Sequence, residues 1–145
     1  MSSLIPAYTQ VYKEPVAFQK ALGFAFEGLV NAGVAFDALS AWKAVEKRIG
    51  EGIYMGSGLL LPHTRISGLE SPLMAFVVAP EIQGASTSCG ETAQFLCLLL
   101  SPAESATAHT VAIAGVAKLL LNPAWKSQAL ACESSDSLEE LFRDQ

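Results

Sequence analysis

GSGLLLPHTR, residues Gly56 to Arg65, poses the fold question for this 145-residue chain. Two glycines open the stretch, three consecutive leucines follow, and Pro62 leads into His63. A short apolar run bounded by glycine and proline reads as a strand buried on both faces. Pro62 has a fixed φ and no N–H to donate, so the strand is expected to end there, with the imidazole of His63 at its mouth.

Outward from this run the texture is regular. Ile53-Tyr54-Met55, Leu73 to Ala79 and Ala93 to Leu100 are further short apolar runs between Gly, Pro and Ser, and are expected as strands. Pro80 to Thr92, rich in Gly, Ser and Thr, reads as surface loop. Upstream, Phe18, Leu22, Ala25, Phe26, Leu29 and Val30 recur at helical spacing and stop at Asn31-Ala32-Gly33. A second helix is expected from Asp37 to Lys47, ahead of Gly50 and Gly52. Downstream, Ser101-Pro102-Ala103-Glu104 reads as a helix start with Ser101 capping and Glu104 closing a capping box, the helix running to about Leu121. Asn122-Pro123 then separates it from a helix over Ala124 to Cys132, and Asp136 with Glu139 opens a last one bearing Leu138, Leu141 and Phe142. No internal repeat or low-complexity linker interrupts the pattern. Helices, strands, then helices again predict one α/β domain over residues 1–145, a mixed central sheet with helices on both faces.

Composition narrows the function classes. Half the residues are hydrophobic, 16% are charged and the net charge is −5. That argues against disorder, and no basic run offers a nucleic-acid footprint. The apolar runs are too short to span a bilayer, so no direct membrane insertion is expected. MSSLIPAYTQVYKEP lacks the basic start and apolar core of a signal peptide, which points to the cytoplasm. Cys89, Cys97 and Cys132 have neither metal-finger nor C-x-x-C spacing, and no metal or cofactor is expected.

The familiar catalytic motifs are missing: no G-x-x-x-x-G-K-[ST], no H-E-x-x-H, no G-x-S-x-G, and only the first two glycines of a dinucleotide fingerprint. The chemistry falls to the two histidines. A neutral imidazole offers one lone pair while its other nitrogen is fixed by a carbonyl or carboxylate, so His63 can attack a phosphoryl group. Equally, it can be a strand-end histidine satisfied by hydrogen bonds. Arg65 is close enough in sequence to neutralise phosphoryl oxygens. His109, expected in the second turn of the helix opening at Pro102, is either an exposed helix residue or a stabiliser of an anion held by His63.

Gly56 to His63 resembles the G-N-G-I-A-I-P-H motif of the type-2 IIA domains of the bacterial phosphoenolpyruvate-dependent phosphotransferase system, the fructose, mannitol and nitrogen-regulatory branch. The amphipathic first helix, the apolar strand before Ser101-Pro102, the second histidine and the ending around Leu138 agree with it, from about Pro15 onward. The resemblance implies a phosphocarrier. His63 would accept a phosphoryl group on Nε2 from a phosphohistidine carrier such as HPr, His109 would help hold it, and a IIB domain would receive it. Ser57 stands where the family has Asn, and a family arginine aligns with Lys47 or Arg48. The alternatives are a regulatory domain that binds a transporter or kinase with little or no phosphorylation, and a small-molecule enzyme. Dimerisation through the apolar helices is left open.

Overall fold

The computed structural model describes residues 5–145; Met1 to Leu4, the start of the segment read as lacking a signal-peptide pattern, lie outside it. In chain order the elements are β1 (Tyr8–Val11), β2 (Val16–Ala17), α1 (Phe18–Val30), α2 (Ala38–Glu51), β3 (Leu59–Leu60), β4 (His63–Ile66), β5 (Leu73–Val78), β6 (Ile82–Gln83), β7 (Phe95–Pro102), α3 (Ala106–Leu120), α4 (Pro123–Ala131) and α5 (Ser135–Arg143).

Every residue of β5 and β7 is buried, as their unbroken apolar sequences require. They pair antiparallel at the centre of the sheet, with β1 parallel to β5 on one side and β3 and β4 parallel to β7 on the other. The sheet is therefore mixed. Alternation along the central strands divides the core in two. Ala75, Val77, Leu96, Leu98 and Leu100 meet the apolar stripe of α1 and α2, including Leu22, Leu29 and Val45. Phe76, Val78, Phe95, Cys97 and Leu99 face α3, α4 and α5. Helices cover both faces, as expected. Each fully buried Leu or Phe contributes roughly 1.5–3 kcal/mol. On the second face Phe76, Trp125 and Phe142 meet edge to face, with ring centroids 4.9 to 5.8 Å apart. The two ends of the chain are joined by a reciprocal pair: Thr9 Oγ1 donates to the Ser135 carbonyl at 3.1 Å, and Ser135 Oγ to the Thr9 carbonyl at 2.7 Å.

Several expected boundaries move. Ser101 and Pro102 do not start a helix: they finish β7, paired with Arg65 and Ile66 of β4. Ser105 caps α3 instead, accepting from the Ala108 N–H at 3.1 Å, so Glu104 closes no capping box. The same segment holds two serines able to cap, and pairing with β4 decides between them. At α5 the box is built by Ser134 and Ser137, not Asp136 and Glu139. α2, expected over Asp37 to Lys47, begins at Ala38 with Asp37 as its cap, and runs past Lys47 and through Gly50 to Glu51. Ile53-Tyr54-Met55 forms no strand, only one antiparallel bridge between Tyr54 and Leu60.

Pro62 falls in a break of the strand: β3 stops at Leu60 and β4 opens at His63. β3 and β4 keep one register along β7, Leu59 opposite Phe95 and His63 opposite Leu99, and the Pro62 carbonyl still accepts from the Leu99 N–H at 3.0 Å. Pro62 turns the same side to β7, so its missing N–H leaves out one bond of that ladder and separates β3 from β4; among the described residues β7 is the one named strand that pairs with β4, which lies at the sheet edge.

Candidate functional site

His63 opens β4 at this edge, so its imidazole is reached from both helical layers. From the last turn of α2, half-buried Arg48 donates through Nε to the His63 carbonyl at 3.1 Å. Its Nη2 lies 3.0 Å from His63 Nε2. His63 Nδ1 lies 2.7 Å from the Leu61 carbonyl. A carbonyl only accepts and a guanidinium only donates, which assigns the tautomer: the proton is on Nδ1 and the lone pair on Nε2. The nitrogen that carries the lone pair is thus defined by two hydrogen bonds, with the ring half-buried.

The other layer supplies His109. Because α3 begins at Ala106, His109 is its fourth residue, and its N–H makes an early bond of the helix, to the Ser105 carbonyl at 3.3 Å. The rings of His63 and His109 lie 5.5 Å apart at 37°. Burial pushes the His109 pKa below its ordinary value, and His63, Arg65 and Arg48 add to the shift. A neutral imidazole beside His63 can donate one hydrogen bond without adding charge. His109 Nδ1 is buried without a partner among the described residues.

The expected set is therefore partly assembled. His63, His109 and Arg48 come together. Arg65 is exposed and its Nη2 is spent on the Ala103 carbonyl, so what reaches His109 is its charge. Exposed Lys47 makes none of the contacts to His63; the arginine one residue on makes them. Ser57 is exposed in the turn before β3, and four residue steps of extended chain, about 13 Å, lead from Leu59 to His63. Glu51, whose Oε1 accepts from Arg48 Nη1 at 3.2 Å, lies beyond the helix end expected before Gly50. Its spacing of three from Arg48 on a helix was the available signal.

No group of three or more metal-binding side chains occurs among the described residues, and no described helix is long and apolar enough to cross a membrane. A cavity of about 750 Å3 lies behind the end of α2, lined by Phe18, Ile49, Glu51 and Ser86 among others, and includes neither histidine.

The mixed sheet between two helical layers is the fold of solved IIA domains. The chain belongs to the family described as phosphoenolpyruvate-dependent sugar phosphotransferase system, EIIA 2, whose model matches residues 8–145. The match takes in β1, ahead of the Pro15 at which the resemblance was first legible. A relative from Haloferax volcanii, the fructose-specific EIIA component of such a system, is 23% identical over 146 residues, covering 99% of this chain and 95% of its own length. The nitrogen regulatory protein IIA-Ntr of Neisseria meningitidis has the same fold at a TM-score of 0.69 and 18% identity, over 94% of this chain and 93% of that one. The Escherichia coli enzyme IIA for mannitol, solved in complex with its phosphorylated IIB enzyme, gives 0.71 at 15% identity over 98% of both chains.

Proposed function

We propose that the chain is a phosphocarrier of the phosphotransferase system, with His63 as acceptor and Nε2 as the attacking atom. The arrangement that supports this reading is the double hold on His63: Nδ1–H on the Leu61 carbonyl and the Nε2 lone pair facing a guanidinium. The donor is a phosphohistidine carrier of the HPr kind. The Nε2 lone pair forms the new bond to phosphorus. The donor's N–P bond breaks, and its electron pair returns to the donor imidazole. His63 keeps the proton on Nδ1, and the Leu61 carbonyl stabilises the positive charge that develops on the ring. Arg48 and His109 then hold the phosphoryl oxygens, Arg48 by charge and His109 by a neutral hydrogen bond. Catalysis is positioning and charge stabilisation, because the phosphoryl group arrives already activated on nitrogen.

The recipient is a cysteine-bearing IIB domain, as the neighbour solved with phosphorylated IIB suggests, and the exchange takes place in the cytoplasm. Incubation with phosphoenolpyruvate, enzyme I and HPr, or their nitrogen-branch equivalents, tests the reading by intact mass under alkaline conditions, since phosphohistidine is acid-labile. The wild type gains one phosphoryl group and His63→Gln gains none. A wild type that gains none from any cognate donor refutes the carrier reading, and leaves a domain that binds its partner without relaying phosphate.

A further inference from the structure

The Arg48 guanidinium is shared between two clients. Two of its nitrogens serve His63, Nε on the carbonyl and Nη2 on Nε2, while Nη1 is held by Glu51 Oε1 at 3.2 Å. Glu51 is the last residue of α2, one helical turn beyond Arg48. The two side chains are 52% and 38% exposed, and Glu51 also borders the cavity behind the helix. Among the described residues no other carboxylate pairs with Arg48.

Loading changes what Arg48 can bind. When Nε2 bonds to phosphorus its lone pair is used, and Nη2 loses its acceptor. A phosphoryl oxygen is the acceptor that takes its place, presented on the same ring. The guanidinium that must hold this oxygen is already part-neutralised by Glu51, and the carboxylate's own charge opposes the phosphoryl group. In the free form the same carboxylate steadies the fork, which keeps Nη2 on Nε2.

Resting on the phosphocarrier reading above, we infer that Glu51 is a positioning residue that sets how firmly His63 holds its phosphoryl group. It anchors the Arg48 fork over Nε2 in the free form and competes for that fork in the loaded form. A carrier must both accept and release, and a strongly held phosphoryl group would stop at His63. Glu51 shifts the balance toward release.

Glu51→Gln tests this, because it removes the charge and keeps the size. At equilibrium with a limiting phosphorylated donor, the variant should carry roughly two- to five-fold more phosphoryl per unoccupied His63 than the wild type, the effect of losing an exposed ion pair. The gain should shrink at high ionic strength, which a purely structural change would not produce. A second readout needs no phosphoryl transfer: diethyl pyrocarbonate acylates an imidazole nitrogen that presents its lone pair. With the fork loosened, His63 should react roughly two- to five-fold faster while His109 keeps its rate. Unchanged or lower occupancy in a chain that does take up phosphoryl overturns the inference, as does a rate rise shared equally by both histidines. If the wild type takes up no phosphoryl from any donor, the carrier reading fails by itself. The acylation rates then decide whether Glu51 controls Arg48: a rise confined to His63 upholds that control, and no rise removes it.

Discussion

Arg48 and His63 are joined twice, guanidinium Nε to backbone carbonyl at 3.1 Å and Nη2 to ring Nε2 at 3.0 Å, across the gap between the end of α2 and the sheet edge. The first bond fixes the arginine relative to the backbone of β4, so the second falls on the ring nitrogen that carries the lone pair. A planar fork can make both bonds at once; an ammonium on a flexible stem cannot hold two acceptors in that fixed geometry. Lys47 makes neither bond. One step along a helix turns a side chain by about 100°, and Lys47 points into solvent.

Arg48→Lys should slow phosphoryl uptake by about 10²-fold, the usual cost of losing a donor aimed at developing negative charge. Lys47→Ala should leave uptake within about two-fold, since Lys47 makes none of the contacts to His63. Initial rates from a phosphorylated donor check both. Equal losses at the two positions would mean that charge alone matters there and that the fork geometry does not.

His109 predicts a pH dependence of stability. Burial first, then the positive neighbours, hold its pKa below the ordinary 6.5 in the folded chain. The unfolded chain therefore binds more protons over the interval between the two values, and stability rises with pH there. The contribution is complete above pH 6.5 and is lost as the pH falls from 6.5 toward the depressed folded value. Urea midpoints taken from about pH 7 to about pH 5 should fall more steeply for the wild type than for His109→Gln. Parallel slopes would show that His109 titrates alike in both states.

The parts legible in the sequence are those whose pattern is local. The 3.6-residue period of Phe18 to Val30 marks α1, and the unbroken apolar runs mark β5 and β7. β1 and β4, with sequences YTQV and HTRI, show little hydrophobic pattern; they are strands because β5 and β7 offer them edges. The choice of Ser105 over Ser101 as cap is likewise made by β4, not by the capping residues. In the site, the Pro-His motif and the second histidine were legible. The Lys47 or Arg48 alternative was not, because a one-residue ambiguity on a helix is settled by where the helix docks. Glu51 is not legible either, because α2 tolerates Gly50, at a cost of about 1 kcal/mol in an exposed helix, instead of stopping there.

Ser57 gives the sharpest separation of a stabilising role from a catalytic one. It stands at φ 55° between Gly56 at 85° and Gly58 at 79°, so three consecutive residues are left-handed. Gly58 also packs tightly: a Cβ there would lie 3.3 Å from the Thr92 carbonyl oxygen. Its N–H is tied to the Tyr54 hydroxyl at 3.0 Å, which fixes the turn before β3 begins. For an L residue the left-handed region is costly, and Asn tolerates it better than Ser because its short amide bonds locally. The backbone conformation at the turn thus favours Asn over Ser at this position. Ser57→Asn should raise stability by about 0.5 kcal/mol and leave the rate of phosphoryl uptake unchanged. Thermal melts and initial rates on the same preparation check the two halves. A faster uptake with no gain in stability would place this side chain in the reaction after all.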